Sequence, residues 1–281
     1  MPDFLILGCG FTGRRVAQRL LARGCTVLCT TRDSLNLETP GALSTLSSMV
    51  TSGVRVLHSV PTLAGELDRV AVDALHGAAR VVYLSTTAVY GGAECVDETT
   101  PVAPQSDRAR ARVRTERAVL DGPWLPLVLR PAAIYGPGRG VQVSMRHGSG
   151  CVSRIHVDDL AAHVEAALFS EVAGAWPVAD DHPCPSSEIA NFILLHPEWG
   201  RPVACGGLGQ GRSRAGLLIH GQGRHLSFAR GQGRLSHASR RVDGSAIRRI
   251  LGIALRYPSY RTGIPAALAE QRHACHDRGF Q

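Results

Sequence analysis

The sequence contains no lysine, so every one of its 31 basic side chains is arginine. Arginine is effectively never deprotonated in a protein, so none of these 31 side chains shuttles a proton. No apolar run approaches the roughly 20 residues that a bilayer-spanning helix requires. The brief apolar stretch Leu5–Leu7 follows Asp3 rather than a basic segment, which argues against a signal peptide and for a cytoplasmic location. The eight cysteines contain no CxxC pair, so free thiols in a reducing compartment are expected and no metal site is. Acidic residues are missing between Glu198 and Asp243, where eight of the arginines lie. That segment alone accounts for the net charge of +8, and the rest of the chain is neutral. Aromatic residues make up only 5% of the chain, and Trp199 and Phe228 are the only ones near the arginine-rich stretch. Arginine–glycine tracts bind single strands by phosphate contact and stacking, and stacking is thin here, which counts against nucleic acid.

What is present begins at the N-terminus. Phe4–Leu7 is a short apolar strand running into Gly8-Cys9-Gly10-Phe11-Thr12-Gly13, and the next segment repeats apolar residues at helical spacing (Val16, Leu20, with Ala17 and Leu21) up to Gly24. A Gly-x-Gly-x-x-Gly turn between strand and helix is a dinucleotide-binding signature. Gly8 permits the tight turn, Gly10 lets backbone approach a pyrophosphate, and Gly13 lets helix pack on strand. Phe11 and Thr12 stand at the helix N-terminus, whose N–H groups face the phosphates.

Further strands are expected at Thr26–Thr31, Val54–His58, Arg80–Ser85 and Leu127–Arg130, with helical stretches between them. Such alternation implies an α/β protein with a parallel sheet covered on both faces. The spacing leaves Leu35–Glu38 as the remnant of another strand and the usual six-stranded sheet one unit short. Asp158 is placed to cap a helix carrying Leu160, Val164 and Leu168. Residues 200–241, with Gly-Gln-Gly-Arg three times, cannot bury enough apolar surface to order and are expected to form a flexible insertion. A short helix ending at Gly252 follows.

Four ordered motifs then extend the picture: the glycine turn, Ser85-Thr86-Thr87-Ala88-Val89-Tyr90-Gly91, Arg130-Pro131-Ala132-Ala133-Ile134-Tyr135-Gly136-Pro137-Gly138-Arg139, and His156-Val157-Asp158-Asp159-Leu160. Together they resemble the extended short-chain dehydrogenase/reductases, the NAD-dependent epimerase/dehydratase group. The resemblance covers roughly residues 3–180 and returns at 242–268. It implies a Rossmann-like doubly wound parallel sheet over residues 1–180, with 131–155 contributing to the cleft, and a smaller C-terminal substrate lobe over 181–281. It also implies an NAD(P)-dependent oxidoreductase acting on a sugar-like or small polar substrate, with a homodimer left open. Thr86 falls where the family places its catalytic serine or threonine, and Ser85 beside it faces the cofactor; a strand-end threonine satisfying backbone is the other reading. Tyr135 and Arg139 fall among substrate contacts.

The family's tyrosine and lysine are absent. Their positions hold Arg108 and Arg112, and the glycine spacing departs from the extended pattern as well. Both departures resemble the atypical branch of the family. Arg112 is left either as a fixed cation for ribose or phosphate or as part of a solvated basic helix face. His156 is the remaining titratable group near the cleft, and a structural role at the helix start is favoured for it. At the tip of the second strand, Arg32 suits the 2′-phosphate of NADP and Asp33 the ribose of NAD, which favours NADP. With the proton-transfer pair missing, a non-catalytic NAD(P)-binding sensor or structural protein stands as the alternative to an enzyme.

Overall fold

The computed structural model describes residues 2–63, 66–140, 150–196 and 239–276. The chain begins with β1 (Phe4–Leu7), α1 (Phe11–Ala22), β2 (Val27–Thr30), α2 (Ala42–Met49), β3 (Arg55–His58), α3 (Leu67–Asp73) and β4 (Arg80–Leu84). The short strand β5 (Cys95–Val96) precedes α4 (Asp107–Leu120), followed by β6 (Leu125–Pro131), β7 (Ala133–Tyr135), β8 (Cys151–Val152) and β9 (Arg154–His156). Then come α5 (Val157–Phe169), β10 (Gly174–Val178), β11 (Cys184–Pro185) and α6 (Ser186–Leu194). Last are β12 (Arg241–Val242), α7 (Ser245–Leu251) and α8 (Tyr260–His276).

Six strands pair in parallel in the order β2-β1-β3-β4-β6-β10. Successive side chains point to opposite faces, so both faces of each strand must be apolar if both are covered. Phe4, Ile6, Val82, Leu84, Leu127 and Leu129 pack beneath Val16 and Leu20 of α1 and Leu160, Val164 and Leu168 of α5. Leu5, Leu7, Val56, Val81, Tyr83 and Val128 face the opposite way, against Leu46 of α2, Ala71 and Val72 of α3 and Val119 of α4. The sheet is therefore doubly wound and has six strands.

The expected shortage falls on one side only. A single strand, β2, lies outside β1, and β10 completes the other edge. Residues Leu35–Glu38 form no strand; Leu35 and Leu37 instead drop from a turn into the core. β10 carries Pro177, which an edge strand tolerates because one of its sides makes no ladder bonds.

The helix at 157–169 begins differently from the expectation. His156, not Asp158, is the N-cap: its Nδ1 accepts the Asp158 N–H at 3.2 Å. Asp158 sits in the first turn, where a carboxylate suits the helix dipole, and pairs with Arg15 of α1 at 2.6 Å. Asp159 accepts the N–H groups of Arg256 and Tyr257 at 2.8 and 2.9 Å, pinning the chain between α7 and α8 to α5.

A second, smaller core gathers Tyr135, Cys184, Ile189, Ile193, Tyr260, Ile264, Ala267 and Leu268. The C-terminal segment also returns to the main sheet, where Ile247 of α7 lies in the core under α1 and α5. The segment 200–241 lies outside the described residues up to position 238. Its end departs from the expectation of flexibility. β12 pairs with β5, and the Arg240 guanidinium donates to the carbonyls of Thr87, Gly91 and Ala93. The six cysteines whose side chains are described are all free thiols.

Candidate active site

The strand order reverses between β1 and β3, which opens a crevice at their carboxyl ends. The glycine turn fills it. Gly8 has φ +91°, and a Cβ there would lie 3.0 Å from the backbone of Ser59 and Val60, so the position demands glycine twice over. Ser59 Oγ donates to the Gly8 carbonyl at 2.7 Å and ties the turn to the end of β3. At Gly13 a Cβ would sit 2.7 Å from the Gly8 carbonyl oxygen and 3.1 Å from Ile6, so the close packing of α1 on β1 depends on its absence. Gly10 differs: a Cβ there meets nothing within 4 Å. Nothing in the fold requires glycine at that point; the space above it is open. The first helical bond of α1 runs from the Arg14 N–H to the Gly10 carbonyl. The N–H groups of Phe11, Thr12 and Gly13 therefore have no intrahelical acceptor and present an anion site.

The cleft running from this turn has a volume of about 600 Å³. Phe11, Leu84 and the Pro131–Ile134 wall supply its apolar surface, and Ser59, Ser85, Thr86 and Thr31 its hydroxyls. Its charged groups are Arg14, Arg32, Arg108, Arg112 and Arg139. No Asp, Glu, His or Tyr is among the described residues that line it. Four of the five arginines have no carboxylate within ion-pair distance among the described residues; Arg32 alone does, pairing with Glu38 at 2.6 Å.

Arg112 is not on a solvated face. It is buried on the inner side of α4, together with Ala109, Val113, Glu116 and Val119. Its Nη1 donates to the Tyr83 hydroxyl at 2.5 Å and to the carbonyls of Val60 and Leu84 at 3.3 Å. Beneath it lie three titratable groups whose burial favours the neutral form. His58, edge-on to Tyr83 at 5.0 Å, is pushed down to about 3, and the Tyr83 hydroxyl and Asp68 carboxyl are pushed up. One turn further along α4, Glu116 and Arg130 form a buried ion pair, 2.7 Å at its shortest, and Arg130 also donates to the Tyr90 hydroxyl at 3.1 Å. Arg108, one turn before Arg112 and exposed, reaches the same cleft.

Thr86 caps the helical turn Thr87–Tyr90: its Oγ accepts the Ala88 N–H at 3.2 Å, which leaves its O–H free to donate into the cleft. The backbone cap expected of a strand-end threonine is present, and it does not use the hydroxyl hydrogen. Ser85 is buried, and its Oγ has no hydrogen-bond partner among the described residues. Arg139 lies over the Phe11 ring at 5.2 Å.

Tyr135 does not line the cleft. It is buried in the second core, its hydroxyl donates to the Ser259 carbonyl at 3.4 Å, and the missing side chain of Gly263 makes room for it. Burial drives its hydroxyl far above the ordinary range. His156 is likewise structural, packed between Tyr135 and Tyr257 and pushed down to about 4 by burial. Ser59, Pro61 and Arg14 line the cleft but were not singled out in the sequence. The signal was available: Ser59 directly follows a strand, and Arg14 lies in the first turn after the glycines, the positions from which such folds reach their ligands.

Comparison with known proteins places this architecture. A short-chain dehydrogenase/reductase superfamily protein from Agrobacterium tumefaciens, solved with bound NAD, superposes with a TM-score of 0.68 over 98% of this chain and 99% of its own, at 18% identity. The fold is that of a short-chain dehydrogenase/reductase. UDP-N-acetylglucosamine 4-epimerase from Bacillus cereus also matches, with a TM-score of 0.68 over 97% of this chain and 100% of its own, at 18% identity. A conserved protein of unknown function from Silicibacter pomeroyi is 27% identical, with a TM-score of 0.65 over 96% and 99% of the two chains. Among curated proteins, a 3-diazoavenalumate denitrifying reductase from Streptomyces is 34% identical over 134 residues. That match covers 40% of this chain and 44% of the relative, so the chain spans less than half of the relative's length. No family model matches the sequence. Among the described residues no helix is long and apolar enough to cross a membrane.

Proposed function

We propose that the chain is a nicotinamide-dependent reductase of the atypical branch, one that delivers hydride to a small polar acceptor without a proton from the protein. The observation carrying this reading is a glycine turn with open space above Gly10, leading into a cleft whose ionic groups among the described residues are all arginines. A bound nicotinamide dinucleotide would supply the hydride. Phe11, Thr12 and Gly13 hold its pyrophosphate through backbone N–H groups, Gly8 shapes the turn and Gly10 leaves the space above it open, and Arg14 and Arg139 flank that anion. Arg112 takes the lysine's place at the ribose as a fixed cation, held by Tyr83 and two carbonyls. Ser85 and Thr86 donate hydrogen bonds to the acceptor. Arg32 favours NADP, and a 2′-phosphate there would displace Glu38.

Arg108 cannot replace a tyrosine as acid or base. The reaction therefore suits an acceptor that needs no protonation. The curated relative's name joins a reductase to the denitrification of a diazo compound. A diazonium carbon that accepts hydride forms a C–H bond as its C–N bond breaks, and the electron pair leaves with neutral dinitrogen. No proton is required. The absence of Asp, Glu, His and Tyr among the described cleft residues equally favours a second reading, an NAD(P)-binding sensor without turnover.

Fluorescence titration with NADPH and NADH, followed by NADPH oxidation assays over aryl diazonium salts, small carbonyls and nucleotide sugars, separates these readings. Turnover of a diazonium or another proton-independent acceptor is the expected result. Tight cofactor binding with no turnover across the panel leaves the sensor; no cofactor binding overturns both.

A further inference from the structure

We infer that the acceptor carries an oxyanion, a carboxylate or phosphate, held at the α4 side of the cleft by Arg108 and Arg112; this deepens the reductase reading and rests on it. The argument is one of charge placement. Four cleft arginines lack a carboxylate partner among the described residues. Arg14 stands in the first turn of α1 with its Nε on the Cys9 carbonyl at 3.3 Å, and Arg139 lies over Phe11 at the same helix start. These two serve the pyrophosphate of a dinucleotide, which brings two negative charges. A 2′-phosphate would be met at Arg32, at the tip of β2, and so offsets nothing on α4.

Arg108 and Arg112 remain uncompensated among the described residues, since the ribose beside Arg112 is neutral; they stand four residues apart on one face of α4 and are therefore neighbours along that face. All three hydrogen bonds made by Arg112 use Nη1. Its Nη2 and Nε edge is left, and a planar guanidinium edge offers two parallel N–H donors to an oxyanion. Ser85 supplies an independent observation: it lines the same cleft, is only 7% exposed, and has an Oγ without a partner. A buried hydroxyl left unmatched is destabilising, and a ligand oxygen would satisfy it. The position that holds the proton-transferring tyrosine in the resembling family has thus become an anchor for substrate charge.

The test uses the full chain and three probes of similar shape, namely benzoate, phenyl phosphate and neutral benzamide. Binding of each is measured by calorimetry on the protein alone and in saturating NADPH. At least tenfold tighter binding of benzoate, of phenyl phosphate, or of both over benzamide is expected, and which anion binds identifies the group. Arg108→Gln should abolish that preference while NADPH affinity stays within threefold of wild type. Arg110→Gln, altering an exposed arginine paired with Asp107, should keep it. Equal binding of all three probes, no binding of either anion, or a preference that survives Arg108→Gln overturns the inference. A chain that ignores NADPH yet keeps the Arg108-dependent preference sinks the reductase reading and leaves the oxyanion site standing.

Discussion

Substituting Gly10 and Gly13 by alanine, one at a time, separates cofactor binding from folding within a single turn. At Gly13 the new methyl would sit 2.7 Å from a backbone oxygen, a distance that no side-chain rotation relieves. Helix α1 has to move off β1, and overpacking of this kind costs about 1–3 kcal/mol. For a chain of this size that lowers Tm by roughly 3–10 °C. At Gly10 the methyl meets nothing within 4 Å, so stability should change by no more than about 0.5 kcal/mol. The methyl stands, however, where the pyrophosphate must pass, and NADPH affinity should fall at least tenfold, about 1.4 kcal/mol. Thermal unfolding gives the first quantity and fluorescence titration the second. If Gly10→Ala destabilises as much as Gly13→Ala, the glycine is structural. If it binds NADPH as the wild type does, no pyrophosphate crosses that face and the reading of the turn is wrong.

Three further outcomes follow from the geometry. Arg130→Met strands Glu116, which is 2% exposed, and should cost about 3–5 kcal/mol, whereas Glu116→Leu with Arg130→Met should cost clearly less; a double variant as damaged as the sum of the singles, read from urea midpoints, contradicts this. Burial pushes Asp180 up to about 7, so the folded carboxyl keeps its proton where the unfolded one, near 3.9, has lost it. Stability from this group is present below about pH 4 and is lost as pH rises through 7. Asp180→Asn, which keeps an oxygen for the His182 N–H, should therefore gain on the wild type across that window by up to about 4 kcal/mol, and a difference flat with pH refutes it. With no Asp, Glu, His or Tyr among the described residues that line the cleft, kcat should vary little between pH 6 and 8; a bell-shaped profile centred near neutrality would point to an acid–base pair outside them.

Much of the sheet was legible because its inner strands are buried on both faces and read as short, mainly apolar runs. β1 to β4 and β6 fall within two residues of expectation. β10 was missed because Gly174 and Pro177 interrupt it, as only an edge position allows. The two- and three-residue strands exist through distant partners, such as Arg241 against Cys95, and have no local pattern to read. In the site, the glycine turn was visible and the burial of Arg112 was not. A run of arginines looks like a solvated face, but Ala109, Val113 and Val119 recur at helical spacing and carry Arg112 and Glu116 onto the same buried stripe. Tyr135 misled for the converse reason: its motif fixes its place in the chain, while Gly263, far along the sequence, decides where its hydroxyl goes.

The bonds from Arg240 to Thr87, Gly91 and Ala93 carry a consequence for the order in which the molecule matures. Arg240 follows Gly91 by 149 residues. At a synthesis rate of about 5–20 residues per second, it leaves the ribosome roughly 7–30 s after the loop it fastens. The glycine turn, by contrast, closes on Ser59 within the first third of the chain. A nascent molecule thus has its glycine turn closed well before the loop after β4, which bears Ser85 and Thr86, is fastened.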